Sequence, residues 1–198
     1  MIDAALKRCL GQAMHAIHVV GARYEGSDRL FTSHWVMQVS FEEPVVIASV
    51  SPKHDTHRLI KHSGAFSVSM LAGDQVMEGQ YFSYPGRKFV HIADDFVTEW
   101  EGLPVVPNAI AWMRCEVVEQ IGAGAAGRLD HDLFLARVTA VAGHRLKEPP
   151  LLYSSRLGWR IAGAPARTPG TSVRDLLLAR LTAAGIDPGA AGDADTDD

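Results

Sequence analysis

The chain has 198 residues, 47% of them hydrophobic and 21% charged, with a formal charge of -4 and a pI near 6.1. That is the make-up of one ordinary globular domain, large enough to bury about two thirds of the surface its unfolded form exposes, and not of a disordered chain. It gives no general attraction for nucleic acid or anionic lipid, so an anionic ligand has to be met by a local group of cations.

Only Cys9 and Cys115 are present, far apart, which builds neither a disulfide framework nor a metal pair and makes a reduced cytoplasm the expected setting. The first ten residues lack the charge order and apolar run of a secretory signal, and no stretch of about 18 apolar residues could span a bilayer. A soluble protein is expected.

In chain order, Ala5, Leu6, Cys9, Leu10 and Ala13 recur at helical spacing and predict a short amphipathic helix over 4–14. Residues 17–24 read as a strand, Glu25-Gly26-Ser27-Asp28 as a turn and 29–33 as its return. The apolar, β-branched run 45–50, entered through Pro44, reads as a central strand buried on both faces. Asp55 or Thr56 suits the cap of a helix through Leu59 and Ile60 that ends at Gly64. Residues 65–71 alternate Phe66, Val68 and Met70 with Ser67 and Ser69, a strand with one polar face. A helix is expected over 74–81, then a long excursion over 83–107 with little regular structure.

Two long strands follow. Over 110–121 one face carries Ala111, Met113, Cys115 and Val117, and over 133–141 one face carries Phe134, Ala136, Val138 and Ala140. The glycine-rich residues 122–127 join them, and 151–153 with 158–161 supply a last strand pair. Beyond Ile161 the composition shifts to Ala, Gly, Pro and Asp, with one helix through Val173, Leu176, Leu177 and Leu181 and an acidic end expected to be disordered. The expected division is therefore a main domain over 1–161 and an extension over 162–198. Many short strands without regular strand-helix alternation argue for a mainly antiparallel barrel or sandwich.

The most informative stretch runs from Thr32 to Pro44, where small hydroxyl residues, an aromatic and an amide stand at the handover from strand to loop, a surface suited to a planar polar ligand. Its pattern Thr32-x-x-Trp35-x-x-x-x-Ser40-Phe41-x-x-Pro44 resembles the flavin-lining segment of the flavin reductase-like, FMN-binding split-barrel proteins, the flavoredoxin branch in particular. The resemblance covers most of residues 5–161. It extends through Thr56-His57-x-Leu59-Ile60-x-x-Ser63-Gly64-x-Phe66-x-Val68, Asp74-Gln75, Phe82, Gly86-Arg87-Lys88-Phe89 and Ala109-x-Ala111-Trp112-x-x-Cys115. Where the family often has Gly-Asp-His-Thr before Leu-Phe, this chain has Leu129-Asp130-His131-Asp132-Leu133-Phe134, keeping only the Asp-His pair. The resemblance implies a mainly β fold, a six-stranded antiparallel split barrel with Greek-key connections and flanking short helices, and a homodimer.

FMN sets two demands. Its phosphate needs fixed donors and positive charge, and Ser49, Val50, Ser51, Lys53, Thr56 and His57 answer where a strand gives way to a helix start. Its ring needs hydrogen bonds at the polar edge and flat contacts, for which Thr32, Ser33, Trp35, Val36, Met37 and Gln38 are placed; the resemblance adds Lys88 and Phe89 near the flavin's open face, and Phe82 from the family's next helix. Read alone, the same residues also describe a capped surface helix and an edge strand with a half-buried tryptophan. The resemblance places His131 beside the nicotinamide as the catalytic residue, although a histidine ahead of an apolar strand is as readily a structural hydrogen-bonding partner.

The resulting expectation is an oxidoreductase passing hydride from NADH or NADPH to FMN, or FAD, and reduced flavin or electrons onward to a monooxygenase or other acceptor. Ring-to-ring transfer over about 3 to 3.5 Å asks for alignment and exclusion of water, with few ionisable groups. The alternative is an FMN-binding carrier, storage or sensing protein, or a deazaflavin user, without nicotinamide turnover. Despite nine histidines no metal is expected, because no acidic or thiol ligand recurs near them at a binding spacing. Neither a Gly-x-Ser-x-Gly elbow nor a Gly-rich dinucleotide fingerprint is present.

Overall fold

The structure, a computed structural model, describes residues 3–84, 95–122, 124, 129–163, 170 and 172–185. The chain divides into two compact units, 1–162 and 163–198. The first contains α1 (Ala4–Leu10), β1 (His15–Ala16), β2 (His18–Tyr24), β3 (Ser27–Ser33), β4 (Val36–Gln38), β5 (Val45–Val50), α2 (Asp55–Ser63), β6 (Ala65–Met70), α3 (Val76–Tyr81), β7 (Thr98–Trp100), β8 (Leu103–Val105), β9 (Ala111–Ile121), β10 (Asp132–Gly143), β11 (Leu151–Ser154) and β12 (Gly158–Ile161). The second contains α4 (Val173–Ala183), whose start is capped by the Ser172 hydroxyl accepting the Asp175 N–H. The acidic end, expected to be disordered, lies outside the described residues.

Seven strands form one antiparallel sheet in the order β3-β2-β6-β9-β10-β5-β4, where six were expected. The extra member is the three-residue β4. Its place explains the shape of the sheet. β3 and β4 lie at opposite edges, yet only His34 and Trp35 separate them in the chain. A flat sheet of seven strands would hold its edges about 29 Å apart, whereas the short link reaches about 10 Å. The sheet must therefore curl into a half-barrel whose two edges approach each other at His34-Trp35.

Inside the curl lie Val20, Ala22, Phe31, Phe66, Val68, Cys115, Phe134 and Ala136, closed by Leu59 and Ile60 of α2. A second cluster of Ile17, Val19, Leu71, Phe82, Val106 and Leu151 packs with Trp159 and links to the small sheet β1-β11-β12. The β2-β3 hairpin turns at Glu25-Gly26, with φ of 48° and 73°, the left-handed pair that a tight two-residue turn requires. Gly64 at φ 70° ends α2.

Several expectations are corrected by tertiary contacts. α1 stops at Leu10 and buries none of its residues, so its apolar spacing marks no core face in this structure. β5 alternates half-buried Val45, Ile47 and Ser49 with buried Val46, Ala48 and Val50, and stands next to the edge strand β4, not at the centre. The serine face of β6 is buried, because the β7-β8 hairpin, found within the supposed irregular excursion, lies over it. There Ser67 donates to the Pro104 carbonyl, and the Ser69 hydroxyl accepts the Val106 N–H at 3.0 Å. Polar side chains were satisfied internally, so they did not need water.

Candidate functional site

The link between the two sheet edges is tied on both sides. The Thr32 N–H donates to the Phe82 carbonyl at 2.9 Å and its hydroxyl to the Gly79 carbonyl at 2.7 Å, fastening β3 to the end of α3. The Ser33 hydroxyl accepts the Trp35 N–H at 3.1 Å, and the Trp35 carbonyl accepts the Ser49 N–H at 3.0 Å. Between these anchors opens a cleft of about 190 Å³, walled by Phe31, Thr32, Ser33, Trp35 and Ser49.

One end of the cleft is the handover from β5 to α2. The Ser51 hydroxyl accepts the Lys53 N–H at 3.3 Å, and the Ser51 carbonyl accepts the His54 N–H at 3.0 Å. His54, not Asp55 or Thr56, occupies the N-cap of α2, and its side chain makes no capping bond. The Asp55 carboxylate lies 3.7 Å from Arg29 and Thr56 is buried, which leaves both unable to cap from the expected positions. The leading N–H groups of α2 thus face the Ser51–His54 turn without a side-chain acceptor, an arrangement that favours an anion.

A further wall is His131. Its Nδ1 is 2.7 Å from the Asp130 carboxylate, and its ring meets Trp35 edge-on, centroids 5.1 Å apart at 80°. The hydrogen bond from His131, with the imidazole's charge adding to it, holds the Asp130 carboxyl below its ordinary range. Asp132, two residues on and at the start of β10, is buried. Its carboxylate lies 2.8 Å from His57 Nε2 and accepts the Gln120 amide, so it ties α2 and β9 together beside the cleft.

His54 packs its ring against Phe31, centroids 4.8 Å apart, and burial pushes its pKa down, with His131 pushing the same way. Beyond Trp35 a second depression of about 260 Å³ is apolar apart from His15, His34 and Ser49. Burial lowers His34 there, and neighbouring His15 adds to the effect. A third, of about 290 Å³, is lined by His18, Met70, Met113, Val138 and Val141.

Of the residues singled out from sequence, Thr32, Ser33, Trp35, Ser49, Ser51 and His131 meet around the first cleft. Val36 and Met37 line the two depressions beyond Trp35. Gln38, expected at the polar edge of the ring, lines only the third and donates its amide to the Ser40 carbonyl at 2.8 Å, because strand alternation and its own loop turn it away. Val50 and Phe82 are core residues, Thr56 is buried in α2 and His57 faces Asp132. Lys53 is exposed on the turn between Ser51 and His54. Lys88 and Phe89 lie outside the described residues. Phe31, His34, His54 and Ser83 also line the cleft and had not been singled out. His34 and His54 each sit inside a motif that was read, and the signal passed over was a polar ring at a turn. Ser83 enters only because α3 folds back on β3.

The flavin reductase like domain matches residues 10–157 of this chain. The chain belongs to the flavin reductase-like domain family. Among its relatives, the NADH-dependent flavin reductase StyB of Pseudomonas fluorescens is 31% identical over 130 residues, 65% of this chain and 72% of that protein. The reductase component of 4-hydroxyphenylacetate 3-monooxygenase from Thermus thermophilus is 31% identical over 158 residues, 79% of this chain and 94% of that protein. The solved structure of the flavin reductase PheA2 in its native state superposes with a TM-score of 0.69 at 26% identity, covering 82% of this chain and all of that one (100%). This flavin reductase-like chain has, among its described residues, no group of three or more His, Cys, Asp or Glu able to hold a metal ion, and no helix long and apolar enough to cross a membrane.

Proposed function

We propose that the cleft at the sheet seam holds a flavin, FMN in the first instance, and that this chain is an NADH-dependent flavin reductase delivering reduced flavin to an acceptor such as a monooxygenase component. The observation that carries this reading is the convergence, in a member of the flavin reductase-like family, of the His34-Trp35 link, the uncapped start of α2 and His131 on one cleft. The donor chemistry fits the ligand. Ser51, Lys53 and the first N–H groups of α2 suit a phosphate, while Trp35 offers flat apolar contact to a ring.

Bound flavin supplies the chemistry itself, accepting hydride directly from the nicotinamide. The task of the chain's residues is placement. Thr32 and Ser33 spend their hydroxyls on Gly79 and Trp35, which fixes the wall and leaves backbone groups to meet the ligand. Asp130 orients His131, so that its Nε2 is the nitrogen left for a nicotinamide or flavin edge. Trp35, leaning on His131 and His34, screens the cleft from the apolar depression beyond it.

A homodimer is part of the same proposal. Met37 at 62% and Val141 at 70% exposure flank the depression over Met70 and Met113, an apolar surface that a second copy would cover. The expected setting is the cytoplasm, with Cys9 and Cys115 as free thiols. The test is an anaerobic titration of the FMN-loaded protein with NADH and, separately, NADPH, followed by the flavin's visible absorbance. Rapid bleaching by NADH is expected. Binding without bleaching by either donor would replace the reductase with a flavin carrier or sensor.

A further inference from the structure

His54 stands at the head of α2 without capping it, and its ring, laid on Phe31, lines the cleft beside Ser51. The same end of the cleft therefore gathers an imidazole, the Ser51 hydroxyl and, at the start of α2, N–H groups that no side chain caps. We propose that His54 is a proton-dependent cation of this anion site, taking up a proton as a phosphate group enters beside Lys53. The inference rests on the flavin reading above and adds a residue and a proton to it.

The charges around His54 decide the sign. On its own element stand Asp55 and His57, but Asp55 is countered by Arg29 of β3 at 3.7 Å and His57 is turned to Asp132. Lys53 precedes it on the turn, and His131 approaches from the lead into β10 with Asp130 on its Nδ1. From β3 itself, Phe31 offers only a ring face. Burial and the neighbouring His131 push the imidazole below its ordinary value, which favours its neutral form. A phosphate of charge about -1.5 to -2 reverses that balance and favours the imidazolium. Because the bound-state pKa then exceeds the free one, affinity rises as pH falls between them, by up to about tenfold per pH unit, and is flat above both.

The experiment is calorimetric titration of FMN and of riboflavin, which lacks the phosphate, into the full chain in two buffers of different ionisation enthalpy, over about pH 8 to 6. His54→Gln and His54→Asn are measured alongside, with riboflavin binding as the check that each variant is folded. The phosphate's own titration is common to all three proteins and cancels in the comparison. Expected are fractional proton uptake with FMN by the unsubstituted chain, its loss in both variants, and a pH-dependent gain in FMN affinity at least about threefold larger than theirs. Riboflavin should show neither effect. Undiminished uptake in the variants, or equal uptake with riboflavin, overturns the role of His54 while leaving the flavin site standing. Failure of the unsubstituted chain to bind either flavin overturns the flavin reading, and this inference with it.

Discussion

His131 enters the cleft with Nδ1 already committed to Asp130, which leaves its other nitrogen to act. On that geometry His131→Asn should slow NADH-dependent flavin bleaching by about tenfold or more while changing FMN affinity by less than about threefold, as read by anaerobic stopped flow and flavin titration. Matched losses in both would make the residue a part of the binding wall. His18 is a different kind of histidine. Buried, with no hydrogen-bond partner for Nδ1, it is pushed down to about 4 by desolvation, with a smaller opposing contribution from the Ala16 backbone. The unfolded chain protonates near the ordinary value of 6.5 and the folded one does not until about 4. Within that window the unfolded state holds the extra proton, so stability falls as pH drops, by on the order of 3 kcal/mol across the window. Urea melts at a series of pH values should show this slope, and His18→Gln should flatten it.

Two elements carry consequences of their own. β8 crosses β2 and β6 closely because Gly21 has no side chain, and a Cβ there would run into the Pro104 carbonyl and the Ser67 hydroxyl. Gly21→Ala should therefore destabilise by about 1–3 kcal/mol in urea unfolding, through displacement of the hairpin. α2 is held to the β9 and β10 ends by the His57–Asp132 contact and the Gln120 amide. At that same N-terminal end Lys53 flanks the uncapped first turn. Lys53→Ala should weaken FMN by about tenfold and riboflavin hardly at all, in fluorescence titrations of both flavins. Equal losses would move the phosphate away from this turn. The alternation of Ser67 and Ser69 was legible as a strand, but not that their face is roofed, because hydroxyls bonded to backbone look the same in sequence as hydroxyls in water.

For the whole molecule the deciding feature is closure. A two-residue link between the edges of a seven-stranded sheet forces the curl, and the cleft forms where the edges meet. Since the first compact unit ends at Ala162, a chain terminated there should fold and bind FMN within about threefold of the full chain, as judged by melting temperature with and without flavin. Loss of binding would assign the second unit a part in the site. Met37→Asp together with Val141→Asp should shift a homodimer toward monomer in analytical ultracentrifugation, the buried charges opposing association.

Read alone, the residues marked the long strands and α2 and α4, from alternation and capping, and the family pattern they carry proposed a shared ligand for the Thr32–Pro44 and Ser51–His57 segments. Local periodicity encodes what each segment does with its own neighbours. Only the tertiary structure decided that β5 stands beside the edge, that Gln38 and His57 turn away, and that His54, Phe31 and Ser83 join the cleft. Those outcomes depend on contacts between segments tens of residues apart, and the curl that makes the contacts is set by sheet order, which no local pattern records.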